Sequence, residues 1–217
     1  MVESARAQIL STASRLFFEQ GYAQTGINQL IVESEVARRT FYHHFASKEA
    51  LGAAYLDAAA TGWLAGLSAA ARGRPSAVSV VRAIFAYVER FARETRFRGC
   101  GILNLASEFA NAESAVRAQV REHKQTQREL IVSLLAPFAV RAEIACGVHV
   151  LLEGAIAAAA GLLELSPIRS ARRAAALLVT SAEATRAARR GALEPARARR
   201  RRSPRSATRR GKQEPKP

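Results

Sequence analysis

The sequence predicts an all-α protein of about nine helices, and three observations carry that expectation. Alanine dominates the apolar residues, only seven prolines interrupt 217 residues, and aromatics make up 6%, a composition that favours helix over strand. Apolar residues return every three or four positions through most of the chain. No stretch alternates strictly between apolar and polar, and no repeat of roughly 20 to 50 residues stands out.

Ile9, Leu10, Ala13, Leu16 and Phe17 mark the inner stripe of a first helix, which Gly21 closes. Thr25 offers a side-chain cap before a short second helix carrying Ile27, Leu30 and Ile31. A third helix runs from about Arg38 to His44. Ser47 caps a long fourth one, which carries Leu51, Tyr55, Ala58 and Leu64 to about Ala71. Breaks at G-R-P-S (73–76), R-G-C-G (98–101), A-P-F (136–138) and L-S-P (165–167) then separate helices at 76–96, 102–110, 113–135, 140–164 and 167–189. Ser166 is expected as the cap of the last and Pro167 as its first residue. Two helical bodies joined through the fourth helix, followed by a tail, is the simplest partition.

The formal net charge of +15 is unevenly spread. Residues 189–217 hold ten arginines and two lysines against two glutamates, so this tail carries +10 and the preceding body +5. With almost no apolar residues it cannot offset its ordering entropy, so it is expected to be disordered, with a polyanion as its natural partner. Two cysteines, Cys100 and Cys146, are too few for a disulfide scaffold, and no apolar leader precedes M-V-E-S-A-R-A-Q, so a cytoplasmic location with free thiols is expected. Residues 144–165 are long enough to span a bilayer. His149, Glu153 and the many alanines instead predict a helix of a soluble bundle and no membrane partner.

The stretch V-A-R-R-T-F-Y-H-H-F-A-S-K-E-A-L, Val36 to Leu51, has the most chemistry per residue. Two short helices joined tightly across Ser34 to Ala37, with a bracing helix before them, have the layout of a helix-turn-helix. Leu30, Val36 and Phe45 are spaced to face the brace. Arg38, Arg39, Thr40, Tyr42 and His43 crowd the start of the next helix and cannot all be buried. A seven-residue helix is about 10 Å long, and its first residues fit a major groove about 12 Å wide. Arginines there pair with guanine, Thr40 reaches a phosphate or base edge, and Tyr42, His44 and Lys48 lie where phosphates flank the groove. Metal binding by His43 and His44 is disfavoured because consecutive helical side chains point about 100° apart. The alternative is a core segment with solvated charges.

Residues 7–51 resemble the DNA-binding domain of the tetracycline-repressor (TetR) family of bacterial transcriptional regulators. The resemblance rests on A-x-x-L-F at Ala13 to Phe17, G-Y-A-Q-T at Gly21 to Thr25, and the spacing of Tyr42, His44, Phe45, Lys48 and Leu51. It implies a helix-turn-helix domain at 1–50, with Thr25 also among the DNA-contacting residues, and a helical effector-binding and dimerisation domain at 51–188, followed by the disordered tail at 189–217. It further implies a homodimer, a double-stranded DNA operator, a small-molecule effector and a repressor. Two departures stand out: Glu35 replaces the usual turn glycine, which adds strain where φ is positive, and Ala37 replaces a capping serine. Residues 1–50 hold five basic and five acidic side chains, so phosphate affinity must come from local placement of Arg38, Arg39 and Lys48. A non-specific architectural DNA binder, dominated by the tail, is the alternative.

Gly99, Cys100, Asn104 and Glu108 resemble a G-C-x-x-x-N-x-x-x-E stretch of one subgroup, whose short helix borders the effector cavity. The resemblance therefore makes Asn104 and Glu108 polar ligand contacts; hydrogen bonding within the bundle is the alternative. Trp63, Leu67, Phe85 and Phe109 are expected as apolar wall, with ordinary core as the alternative. His123, His149 and Glu153 sit on apolar helix faces as core groups, ligand contacts or, together with Glu108, metal ligands. The small run G-A-I-A-A-A-A-G at 154–161 predicts close helix approach, at the dimer interface by resemblance or within one subunit. No nucleophile-and-base pair, phosphate loop or metal signature is present, so no catalytic residue, metal or cofactor is expected.

Overall fold

Four of the helices begin where a serine side chain accepts an otherwise unpaired N–H of the first turn. In the computed structural model, which describes residues 4–109, 111 and 114–181, Ser4 caps α1 (Ala5–Gln20) and Ser47 caps α4 (Lys48–Ala71). Ser76 caps α5 (Ala77–Glu94) in a reciprocal pair with Ser79, and Ser114 caps α7 (Ala115–Leu135). Between them lie α2 (Ile27–Glu33), α3 (Arg38–His44) and α6 (Gly101–Ser107). A 3-10 turn (Ala136–Phe138), α8 (Ala142–Leu162) and α9, helical over residues 166–181, follow. Among the described residues there is no strand. The fold is all-α, as the composition predicts. The basic segment 189–217 and the end of the last expected helix lie outside the described residues.

Two caps depart from expectation. Gly26, not Thr25, precedes α2 and offers no side-chain acceptor. Thr25 is fully buried instead, and its hydroxyl donates to the Gly21 carbonyl at 2.7 Å. Ser166 already lies inside α9, because the Leu165 carbonyl accepts the first helical bond, from Arg169.

Apolar side chains gather into two clusters. One packs Ile9, Leu16 and Phe17 of α1 on Leu30, Phe41, Phe45, Leu51 and Leu56, and continues into Ile102 and Leu105 of α6 and Val116 and Val120 of α7. The other joins Leu67, Val81, Ile84 and Phe85 to Ile131, Leu135, Val148, Leu152, Ile168 and Val179. Full burial of a side chain such as Phe41 or Phe85 contributes about 1.5–3 kcal/mol. Cys100, just ahead of α6, touches both clusters. The helix-turn-helix unit therefore rests on α6 and α7 as well as on α4.

α8 is the one helix among the described residues long and apolar enough to cross a membrane. Ala145, Val148, Leu152, Ala155, Ile156 and Ala159 pack into the second cluster, while Val150 and Leu162 are exposed. Glu89 on α5 receives Arg169 at 3.0 Å and Arg172 at 3.6 Å, which ties α9 down.

The turn between α2 and α3 carries the strain that its sequence implies. Glu35 sits at φ 53°, a region costly for any residue with a Cβ, and Ala37 starts α3 without a side-chain cap. Glu35→Gly and Ala37→Ser are each expected to raise stability by about 1 kcal/mol. Urea unfolding of the two variants checks this; an unchanged or lower midpoint contradicts it.

Candidate functional site

Phe41 and Phe45, 0% and 4% exposed, fasten α3 to the brace. That orientation leaves Arg38, Arg39, Tyr42 and His43 in solvent, with Thr40 and His44 half-buried beside them. Of the alternative core reading, Phe41 and Phe45 are core; Tyr42, 42% exposed, is not. The Arg38 guanidinium donates to Asn28 Oδ1 at 2.7 Å, which steadies it at the mouth of the helix pair. The His43 and His44 rings stand 5.1 Å apart at 70°. This is a short cationic rod of groove-sized length with its first turn outward.

Behind the rod, the turn after α1 is gripped from a distance. Gly21 closes α1 at φ 98°, and the next two backbone N–H groups, of Tyr22 and Ala23, both donate to the Glu108 carboxylate, at 2.9 and 2.5 Å. A carboxylate receiving two amides is a charge-assisted pair, stronger than neutral bonds. A Cβ at Gly21 would stand 3.2 Å from Glu108 Oε1, so glycine serves both the φ and the close approach. The Tyr22 ring lies between Phe17 at 5.1 Å and Phe109 at 5.2 Å, over Gly52, where any Cβ would reach it at 3.0 Å. Lys48 sits 4.3 Å from the Tyr22 ring centre and 3.4 Å from the Ala23 carbonyl. Burial pushes its pKa below the ordinary lysine value, opposed by the Glu108 charge.

Glu108 caps the far end of α6, and the near end opens on a cavity of about 340 Å³. Ser14 and Phe18 of α1, Tyr55 to Trp63 along one side of α4, and Tyr87, Phe91 and Thr95 line it. Cys100, Gly101, Ile102, His123, Lys124 and Ile156 complete the wall. A Cβ on Gly101 would lie 2.5 Å from the Tyr55 hydroxyl and 2.8 Å from Phe18, so α6 meets α1 and α4 there without a side chain between them. Polar groups along one side form a chain: Trp63 Nε1 donates to Gln127, and Gln127 Nε2 donates to Glu153. Glu153 also receives both bonds from Lys124, at 2.8 and 2.9 Å. His123, 6% exposed, has no partner on either ring nitrogen.

Trp63 and His123 are the expected ligand residues that the cavity uses. Leu67 and Phe85 are sealed in the second cluster, so both are core, not wall. Asn104 is exposed and donates to the Arg98 carbonyl, and Glu108 holds the turn, so neither is a cavity contact. His149 lies half-buried, 3.9 Å from Glu153, behind the wall. Phe109 stacks on Tyr22. Glu108 is engaged elsewhere, and among the described residues no three His, Cys, Asp or Glu side chains cluster as a metal site would. Sequence reasoning missed Phe18, Tyr55, Tyr87, Phe91 and Lys124. The one available signal was on α4, where Tyr55, Ala59, Gly62 and Trp63 share a face that is small in the middle and aromatic at both ends.

The family described as bacterial regulatory proteins, tetR family, matches residues 9–55. Over 52 residues the chain is 38% identical to the HTH-type transcriptional repressor NemR of Escherichia coli K12, covering 24% of this chain and 26% of that protein. Over 41 residues it is 51% identical to the HTH-type transcriptional regulator LmrA of Bacillus subtilis, covering 19% and 22%. The match thus spans about a quarter of the length of these curated relatives. The crystal structure of SCO4454, a TetR-family transcriptional regulator from Streptomyces coelicolor, superposes with a TM-score of 0.67 at 31% identity. That superposition covers 83% of this chain and 95% of the other.

Burial, reinforced by the neighbouring Lys124 charge and opposed by Glu153, lowers the His123 pKa from 6.5 to about 4. The unfolded chain therefore takes up a proton near pH 6.5 that the folded chain refuses until near pH 4. The stability tied to a neutral His123 is full above pH 6.5 and is lost as the pH falls towards 4, on the order of 2–3 kcal/mol. Urea midpoints at pH 7 and 4.5 are expected to fall less in His123→Gln than in the parent. Equal falls contradict a buried neutral imidazole.

Proposed function

We propose that this chain, which belongs to the TetR family of bacterial transcriptional regulators, is a cytoplasmic repressor that releases its operator when a small molecule fills the cavity. One observation carries the reading: α6 forms cavity wall at Gly101 and Ile102 and, one residue past its other end, holds the turn of the DNA-binding unit through Glu108. A molecule pressing on the first turn of so short a helix displaces the whole of it, and the carboxylate carries the Tyr22 and Ala23 backbone along. The same turn leads into α2 and is contacted by Lys48 from the start of α4, so groove-facing residues move relative to the body. Effector and operator affinities are then coupled by one free energy that acts in both directions.

Assembly as a homodimer is supported by the outer side of α8 and α9. Val150, Leu162, Leu163 and Leu177 are each more than 60% exposed, and a Cβ on Gly154 or Gly161 would meet nothing within 4 Å. Apolar surface of this kind on a soluble helix calls for a partner, and a second copy would bring two α3 helices to successive turns of one duplex. Within the 154–161 run, Gly154 and Gly161 are thus offered to that copy, while Ala155, Ile156 and Ala159 pack inside the subunit.

Arg38→Ala and Arg39→Ala are each expected to weaken operator binding about tenfold or more, since a bidentate arginine–base contact contributes about 1–3 kcal/mol, with the fold intact because both side chains are in solvent. Fluorescence anisotropy on operator and random duplexes checks this; equal affinity for both duplexes in the parent would favour a non-specific DNA binder. Glu108→Gln removes the charge from the grip on Tyr22 and Ala23. Its operator affinity with effector, relative to that without, is expected to move towards one; a ratio equal to the parent's contradicts coupling through α6.

A further inference from the structure

The proposal that the cavity holds an effector leaves open what the effector is, and the wall narrows the choice. Phe18, Tyr55, Trp63, Tyr87 and Phe91 put five aromatic rings on the wall, and Ile102 and Ile156 extend its apolar surface. At about 340 Å³ the space lies at the small end of the roughly 300–1,000 Å³ typical of ligand sites. Offset or edge-on contact with these rings favours a flat aromatic guest.

Charge decides the next step. Lys124 is the one charged side chain among the lining residues, and its ammonium is already committed. Both oxygens of Glu153 receive it, at 2.8 and 2.9 Å, and Cys100 Sγ lies 3.7 Å away, which accounts for its three donors. Glu153 is completed by Gln127, and Gln127 by Trp63. An anion entering this wall finds no free cation, because Glu153 takes up the Lys124 ammonium and the remaining donors, the neutral His123 ring and the Tyr55 and Tyr87 hydroxyls, are uncharged; a cation finds no lining carboxylate and meets the Lys124 charge.

Among the lining residues, the buried polar group left unpaired is His123. It is 6% exposed, lines the cavity, and has both ring nitrogens without a partner. A buried polar group left in that state costs stability unless something completes it. The neutral ring offers one N–H donor and one bare nitrogen acceptor. A hydroxyl group matches either nitrogen.

Resting on the reading of this chain as a ligand-responsive regulator, we propose that its effector is an uncharged aromatic alcohol, a phenol or naphthol, whose hydroxyl pairs with His123 while its ring lies among Phe18, Trp63, Tyr87 and Phe91. The cavity discriminates against organic anions and cations of the same skeleton.

Four probes sharing one ring system test this on the full chain without DNA: 2-naphthol, 2-methylnaphthalene, 2-naphthoate and 2-naphthylmethylammonium, at pH 7. Each is titrated as a competitor of N-phenyl-1-naphthylamine, an uncharged dye whose binding is read by energy transfer from Trp63, the single tryptophan of the chain and part of the wall. 2-Naphthol is expected to bind about three- to tenfold more tightly than 2-methylnaphthalene, the worth of one neutral hydrogen bond. It should exceed both charged probes by at least about tenfold. His123→Phe should erase the hydroxyl preference and leave 2-methylnaphthalene unchanged, a split that a purely structural histidine does not give. Ala59→Phe fills the cavity and should abolish binding; where that variant does not fold, Ala58→Phe takes its place. Equal or tighter binding of naphthoate or naphthylmethylammonium, a hydroxyl preference that survives His123→Phe, or binding that survives the filled cavity overturns the proposal. A separate anisotropy titration with operator duplex isolates the other reading: 2-naphthol that binds the cavity but releases no operator contradicts the regulator, and leaves the chemistry of the cavity standing.

Discussion

Two backbone amides and one carboxylate join the halves of this molecule. The N–H groups of Tyr22 and Ala23 lie just past the end of α1, where neither has a helical partner, and Glu108 supplies both acceptors from more than eighty residues away. Gly21 permits the approach through its positive φ and its missing side chain. Tyr22, held over Gly52 and between Phe17 and Phe109, makes the junction rigid on its apolar side. A helix-turn-helix unit with formally balanced charge and two helices lacking side-chain caps thus takes its position from contacts with α4, α6 and α7 as much as from its own core.

The DNA-facing end was legible in the sequence because short helices bring their chemistry together locally. Arg38, Arg39, Tyr42 and His43 lie within six residues, so a helix turn alone makes them neighbours, and Phe41 and Phe45 show which side must turn inward. Glu35 at positive φ and Ala37 without a cap were readable for the same reason: both follow from the immediate backbone. Thr25 was misjudged because Gly26 took over the cap and left the threonine hydroxyl to satisfy Gly21.

The cavity was poorly legible for the opposite reason. Its wall draws on six helices, and no local pattern says that Phe18, Tyr87, His123 and Ile156 converge. Leu67 and Phe85 share their apolar character with true wall residues, and only the packing of α4 against α5 and α7, and of α5 against α8, assigns them to the core. Asn104 and Glu108 do share a helix face, but that face turns to the bundle's exterior, where one holds a loop carbonyl and the other a turn. His123 stood out as a polar residue on an apolar stripe; that both its nitrogens would lack partners at a cavity wall is a tertiary fact.

The most direct test of coupling through α6 is amide hydrogen exchange at Tyr22 and Ala23, followed by NMR while a cavity ligand is titrated. Coupling predicts that both amides are protected in the free protein and that their protection changes over the same ligand range in which operator is released. The change should vanish in a chain with alanine at position 108. Release of operator with exchange at both amides unaltered would contradict it.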